Sequence, residues 1–204
     1  MRYFYDTEFI EDGETIDLIS IGIVAEDGRE FYAQNLHCRF RLASDWVKTN
    51  VFPSLTRFDS ETLEPIIDAY QEGGYGDWYS KGSIASVLST TWMPGFGFVR
   101  MDDSKPEFWG YYSAYDHVVL CQLFGTMMEL PAGWPMYTRD LRQWADSLGI
   151  TEDLDKLVPQ EGEHHALADA RWNKKVWEFL DNIGRPELML NGNDNRNACR
   201  VCAD

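Results

Sequence analysis

The stretch TIDLISIGIVAEDGREFYAQN, residues 15–35, constrains the fold more than any other. Its first half is a run of β-branched and apolar residues that stops at Asp27-Gly28, and strand character resumes in REFYAQN. That pattern reads as a β-hairpin closed by an Asp-Gly turn. YFYDTE, just upstream, supplies another strand. A chain that opens with three strands builds a sheet first and must cover it with its later segments.

Those later segments are mostly helical. ASDWVKTNVF predicts a helix that stops before Pro53, and TLEPIIDAYQ and GSIASVLSTTW predict two more. PEFWGYYSA then reads as a buried strand running into a helix, YDHVVLCQLFGTMM. TRDLRQWADSLG predicts a helix with Thr138 as N-cap and Gly149 as its stop. A last helix is expected from about His165 through ALADARWNKKVWEFLDNIG to Gly184. The fold class is therefore α/β, a mixed sheet flanked by helices. With 204 residues, 44% apolar and 14% aromatic, one domain with one substantial core is expected.

That domain is expected over residues 1–184, with an insertion of mixed helix and loop at about 53–105, where QEGGYGDWYSKG and PGFGFVRMDDSKP are rich in turn residues. Residues 185–204 read as a polar, flexible tail. The tail carries Cys199 and Cys202 as a lone CRVC, which falls short of the four ligands of a structural zinc site. No apolar run reaches the roughly 20 residues needed to cross a bilayer, and no secretory signal pattern opens the chain, so a cytoplasmic protein is expected. The formal charge of −16 argues against tight binding of a duplex. It leaves open the processing of a chain end held through divalent cations and stacking.

Period-2 spacing projects Asp6 and Glu8 from one face at the end of the first strand, an arrangement that needs a proton, a basic partner or a cation. Asp116 falls at a strand-to-helix junction, where helix capping is the plain alternative. Asp169 lies on the last helix, and helical spacing alone pairs it with His165 at i, i+4 rather than with His164. Four carboxylates and a histidine at strand ends and helix starts suit two-metal phosphodiester chemistry: oxygen ligands for Mg²⁺ and an imidazole to take a proton from water.

The motifs YDTEF, AYDHVVL and HHALAD resemble the D-x-E, mid-chain aspartate and H-x4-D motifs of the DEDDh 3′-to-5′ exonucleases, which have the ribonuclease H-like fold. Within that family the first forty residues and most of 107 to 175 look like the actinobacterial polyadenylate-specific 3′-to-5′ exoribonucleases, relatives of RNase T. The resemblance implies a five-stranded mixed sheet and two Mg²⁺ ions, replaceable by Mn²⁺, on Asp6, Glu8, Asp116 and Asp169. It selects His164, not His165, as the general base. It further implies hydrolysis of single-stranded RNA from the 3′ end with an adenylate preference, release of nucleoside 5′-monophosphates, and a homodimer.

By analogy with the residues around D-x-E in that family, the resemblance implies that Thr7 and Phe9, beside the first pair, line the terminal-nucleotide pocket, with Tyr115 before the middle aspartate as a further candidate. Arg139, Arg142, Arg171, Lys174 and Lys175 are candidates for substrate phosphates or for a solvated face. Two other readings stay open at this level: a proofreading-type exodeoxyribonuclease, and a non-catalytic nucleic-acid or protein binding module on the same fold.

Overall fold

The computed structural model describes residues 1–67, 77–92 and 105–184. The chain opens with β1 (Arg2–Glu11), β2 (Ile16–Ala25) and β3 (Glu30–Asn35), an antiparallel meander. Gly28, at φ +89°, closes the Asp-Gly turn between β2 and β3. Helix α1 (Asp45–Asn50) comes next, with Ser44 as its N-cap. After it stand the short pair β4 (Phe58–Asp59) and β5 (Glu64–Pro65), then β6 (Trp78–Tyr79) and α2 (Lys81–Val87). The second half holds β7 (Glu107–Gly110), α3 (Ala114–Gln122), β8 (Arg139–Asp140), α4 (Leu141–Ser147), α5 (Leu154–Leu157) and the long α6 (Ala166–Gly184).

The main sheet has the order β6-β3-β2-β1-β7-β8, with β7 parallel to β1. The α/β architecture with a mixed sheet is as expected, and six strands stand where five were anticipated. The two edge strands are only two residues long, too short to show any period. β6 forms because the outer edge of β3 needs acceptors: Gln34 and Leu36 donate backbone N–H bonds to Asp77 and Tyr79 at 2.7 and 2.9 Å.

Three local expectations need correction. Residues 62–67 are not helical. Asp59 accepts from the Glu61 and Thr62 amides, Leu63 takes φ +58°, and Glu64–Pro65 pair with β4; residues 68–71 lie outside the described residues. The strand expected over PEFWGYYSA stops at Gly110, while α1 does end before Pro53, which lies in the 3-10 turn Phe52–Ser54. The α4 cap is Asp140, which accepts from the Gln143 amide at 3.0 Å, while the Thr138 hydroxyl donates to the Phe108 carbonyl. Gly149, at φ +76°, does stop the segment. The tail and its CRVC lie outside the described residues, and Cys38 and Cys121 are buried free thiols.

The pleat of β1 sorts its residues between two layers. Tyr3 and Tyr5 join Ile21, Ile23, Phe108, Val119 and Leu120 on the face covered by α2 and α3. Phe4 packs with Val24 and Ala170 on the face covered by α6. α6 lies so close to β2 that a Cβ on Gly22 would stand 2.3 Å from the Ala166 carbonyl carbon and oxygen. Glycine at position 22 is what lets the start of that helix touch the sheet. No described helix is long and apolar enough to cross a membrane.

Candidate active site

β1 does not end at its acidic pair. It continues to Glu11, and its register against β2 shifts between Glu8 and Phe9. A bulge of this kind twists a strand locally and re-aims its side chains. Being even-numbered like Phe4, Asp6 and Glu8 belong to the α6 face, where Asp169 in the first turn of that helix meets them. Carboxylate oxygens of Asp6, Glu8 and Asp169 all lie within 4.8 Å of one another.

Asp116 reaches the cluster from the other layer. It is buried in the first turn of α3, and its Oδ1 accepts from both the backbone amide of Thr7, at 2.8 Å, and the Thr7 hydroxyl, at 2.6 Å. Thr7 is itself buried. It was expected to line the nucleotide pocket, yet its pleat position turns it towards α3, where its donors are committed to Asp116. Phe9 and Tyr115 do meet, edge to face at 6.0 Å, and the Tyr115 ring is more than half exposed.

Like charges packed this tightly resist ionisation. Loss of solvent, then the charges of Asp116, Glu8 and Asp169, hold the Asp6 carboxyl well above the usual carboxylate range. Burial and then Asp169 raise Glu8 to about 8. Burial raises Asp116 to about 6 against the opposing Thr7 hydrogen bonds. Asp169 also rises to about 6 through burial, opposed by the Gln160 amide and the His164 backbone N–H. A compact set of hard oxygen donors that disfavours its own ionised state, with no cationic side chain among the groups that shift it, fits a divalent cation such as Mg²⁺.

The two histidines separate cleanly. His165 stacks on Tyr32, with ring centroids 4.5 Å apart, and its Nδ1 accepts from the Ala168 amide at 3.4 Å, so it finishes the start of α6. His164 precedes the helix at φ +65°. Its backbone N–H donates to Asp169 Oδ2 at 3.0 Å, its carbonyl accepts from the Ser54 hydroxyl at 2.7 Å, and its ring stands 4.9 Å from Trp46 on α1. Helical spacing favoured His165 because it assumed both residues were helical. The left-handed backbone at His164 breaks that assumption and brings its side chain to the cleft instead.

That cleft, about 450 Å³, is lined by Asp6, His164 and Asp169 together with Tyr111, Tyr112, Asp153, Asp155, Gln160, Glu163, Trp172 and Asn173. The tyrosines and Gln160 were missed in the sequence because they sit in irregular connections that carry no period. Phe9, Tyr115, Glu8 and Asp116 do not line it, so the expected aromatic pair lies beside the cleft rather than in it.

The basic residues turn away from it. Arg171 is two residues past Asp169, about 200° round the helix, and pairs with Glu30 at 2.6 Å. Lys174 donates to the Glu26 carbonyl, Arg142 binds Asp146, Arg139 lies 3.6 Å from Glu107, and Lys175 is exposed.

The chain that carries these carboxylates on two layers is similar to known proteins. Residues 1–180 match the model of the Rv2179c-like 3′-5′ exoribonuclease domain. The chain belongs to that family. Two curated relatives from Mycobacterium tuberculosis are each 42% identical over 191 residues, covering 91% of this chain and 98% of the relative. They are the 3′-5′ exoribonuclease Rv2179c of strain ATCC 25618 / H37Rv and the 3′-5′ exoribonuclease MT2234.1 of strain CDC 1551 / Oshkosh. The matched span of the family model contains every residue of the carboxylate cluster, His164 and the whole sheet.

Proposed function

We propose that this chain is a divalent-metal-dependent 3′-to-5′ exoribonuclease that shortens single-stranded RNA from its 3′ end and releases nucleoside 5′-monophosphates. The observation that carries the proposal is the meeting of Asp6, Glu8 and Asp169 within 4.8 Å, beside Asp116 and a cleft that also contains His164.

Asp6, Glu8, Asp116 and Asp169 would hold two Mg²⁺ ions, or Mn²⁺ in their place. Bound there, the ions supply acidification of the attacking water and charge for the displaced oxygen. The chain's own residues do the rest. The His164 imidazole takes the proton of the attacking water, the new P–O bond forms to the phosphate of the terminal diester, and the bond to the 3′ oxygen of the preceding nucleotide breaks, that oxygen taking a proton from solvent to become the new 3′ hydroxyl. The Asp169–His164 backbone bond and the Ser54 hydroxyl fix the histidine's place. Thr7 holds Asp116 by two bonds, acting on the reaction through that carboxylate. Phe9 and Tyr115 contact the terminal base, with a preference for adenylate.

In this reading the molecule acts as a homodimer in the cytoplasm, residues 1–184 form the catalytic domain, and 185–204 are a tail. The exoribonuclease activity is supported by the family membership and the names of the relatives, and the acidic composition suits a chain end better than a duplex.

The test uses purified protein with end-labelled oligoadenylate RNA, mixed-sequence RNA and the matching DNA, in Mg²⁺, Mn²⁺ or chelator. Shortening of RNA from the 3′ end that needs metal and disappears in Asp6→Ala is the expected result, with the faster rate on oligoadenylate. Preferential shortening of DNA, or no shortening at all, would overturn the proposal.

A further inference from the structure

One part of the cleft lining lies outside the carboxylate cluster. It is made by Tyr111 and Tyr112, in the connection between β7 and α3. Their ring centroids are 4.4 Å apart. Tyr112 is 65% exposed and holds φ +51°, a backbone conformation that costs a bulky residue energy unless its surroundings impose it.

The surroundings do impose it. Ser113 donates its backbone N–H to Asp140 at 2.9 Å, Ala114 donates to the Tyr112 carbonyl at 2.9 Å, and Gly110 approaches Ser113 so closely that a Cβ there would lie 2.6 Å away. The turn is pinned, and its strained residue presents an aromatic ring to solvent at the cleft.

Behind it the wall is rigid. Tyr111 packs edge-on against Trp172 at 5.1 Å, and the Trp172 indole N–H donates to the Val158 carbonyl at 2.7 Å. Burial and the neighbouring Tyr112 hydroxyl push the Tyr111 phenol up to about 12, so the ring stays neutral at physiological pH. The remaining lining includes Asp153, Asp155 and Glu163, and no Lys or Arg among the described residues. A phosphate is repelled from such a surface, whereas a neutral planar ring is not. The cleft volume of about 450 Å³ suits a small planar ligand, and the space is continuous with Asp6, His164 and Asp169.

We propose that Tyr111 and Tyr112 form a stacking subsite for a nucleobase of the RNA strand, separate from the Phe9–Tyr115 pair. The inference rests on the exoribonuclease reading above. Tyr112 provides the exposed face and Tyr111, braced by Trp172, keeps it in place. The subsite selects flat, flexible, single-stranded ends, because a base paired in a duplex has no free face to offer.

The experiment is steady-state kinetics in Mg²⁺ on RNA strands carrying one abasic nucleotide moved stepwise from the 3′ end. Wild type is compared with Tyr112→Ala, Tyr112→Phe and Tyr112→Gly; the glycine variant removes the ring while accepting the positive φ. Truncating a stacking aromatic weakens binding by about 5- to 150-fold, or roughly 1–3 kcal/mol. Tyr112→Ala and Tyr112→Gly are therefore expected to raise KM on intact RNA by that factor with little change in kcat. Tyr112→Phe keeps the wild-type KM. For one abasic position the penalty of Tyr112→Ala vanishes, because the base that would stack is gone. An unchanged KM in both truncations, or a penalty that persists at every abasic position, would overturn the subsite while leaving the exoribonuclease reading intact. Wild-type protein inactive on every RNA would instead sink that reading and the subsite together.

Discussion

The two faces of β1 are separated only by the pleat of one strand, yet they are built for opposite purposes. On the face of Tyr3, Tyr5 and Thr7 nearly everything is buried and satisfied: aromatic rings pack against Phe108, and Thr7 gives both its donors to Asp116. On the face of Phe4, Asp6 and Glu8 the strand passes from the core into carboxylates that raise one another's pKa. The first face sets geometry and the second stores electrostatic tension. One face makes the other useful, because Asp116, fixed from the satisfied side, adds its charge to the unsatisfied one.

Removing a carboxylate from the tense face should have the largest effect. Asp169→Asn should lower kcat/KM by about 10³-fold or more, since several kcal/mol of transition-state charge stabilisation depend on the cations. Its metal-free melting temperature should hold or rise, because a repulsive charge is lost. A comparable loss of activity with a falling melting temperature would mean that Asp169 is structural.

Gly22→Ala tests the contact that brings α6 to the sheet. Gly22 is registered opposite Asp6, and the new methyl would collide with the backbone of Ala166 and Leu167. Overpacking of this kind costs about 1–3 kcal/mol of stability. Moving His164 and Asp169 by an ångström costs about 10²-fold in rate. Chemical denaturation and single-turnover kinetics measure the two effects separately.

On the satisfied face the expected effect is smaller. Thr7→Val removes the hydroxyl bond to Asp116 but keeps the amide bond, so metal affinity should fall by about 10- to 100-fold. Thr7→Ser should restore it, as read by calorimetry. His165→Ala removes only a helix-start acceptor and a ring contact, and should cost about 0.5–2 kcal/mol of stability with kcat preserved.

Much of this was legible in residues. Alternation in YFYDTEF put Asp6 and Glu8 on one face, and the TIDLISIGIVAEDG hairpin placed that strand inside a sheet. The spacing of the two histidines misled, because i, i+4 reasoning holds only within a helix and His164 stands outside one. The bend at Leu63 and the pairing of Pro65 were hidden for a related reason: a two-residue strand has no pattern, and Asp59 decides the turn through its own side chain. Tyr111 and Tyr112 were read as the tail of a buried strand, whereas β7 stops at Gly110. The strained turn that exposes Tyr112 depends on Asp140, which lies 27 residues beyond Ser113 in the chain.

Calorimetric titration with Mn²⁺ at several pH values reads the electrostatic tension among the carboxylates. Native carboxyls with raised pKa values bind more protons than the unfolded chain between their ordinary values, near 4, and about 6 for Asp116 and Asp169 or about 8 for Glu8. In that window metal-free stability should therefore fall as pH rises. Cation binding should reverse the loss, with proton release that is largest in the same window. The expected result is two ions bound per chain with protons released near neutral pH, and weaker binding in Asp6→Asn. No binding, or binding without proton release and unaltered by Asp6→Asn, would show that the carboxylates are not held under mutual repulsion as a cation site.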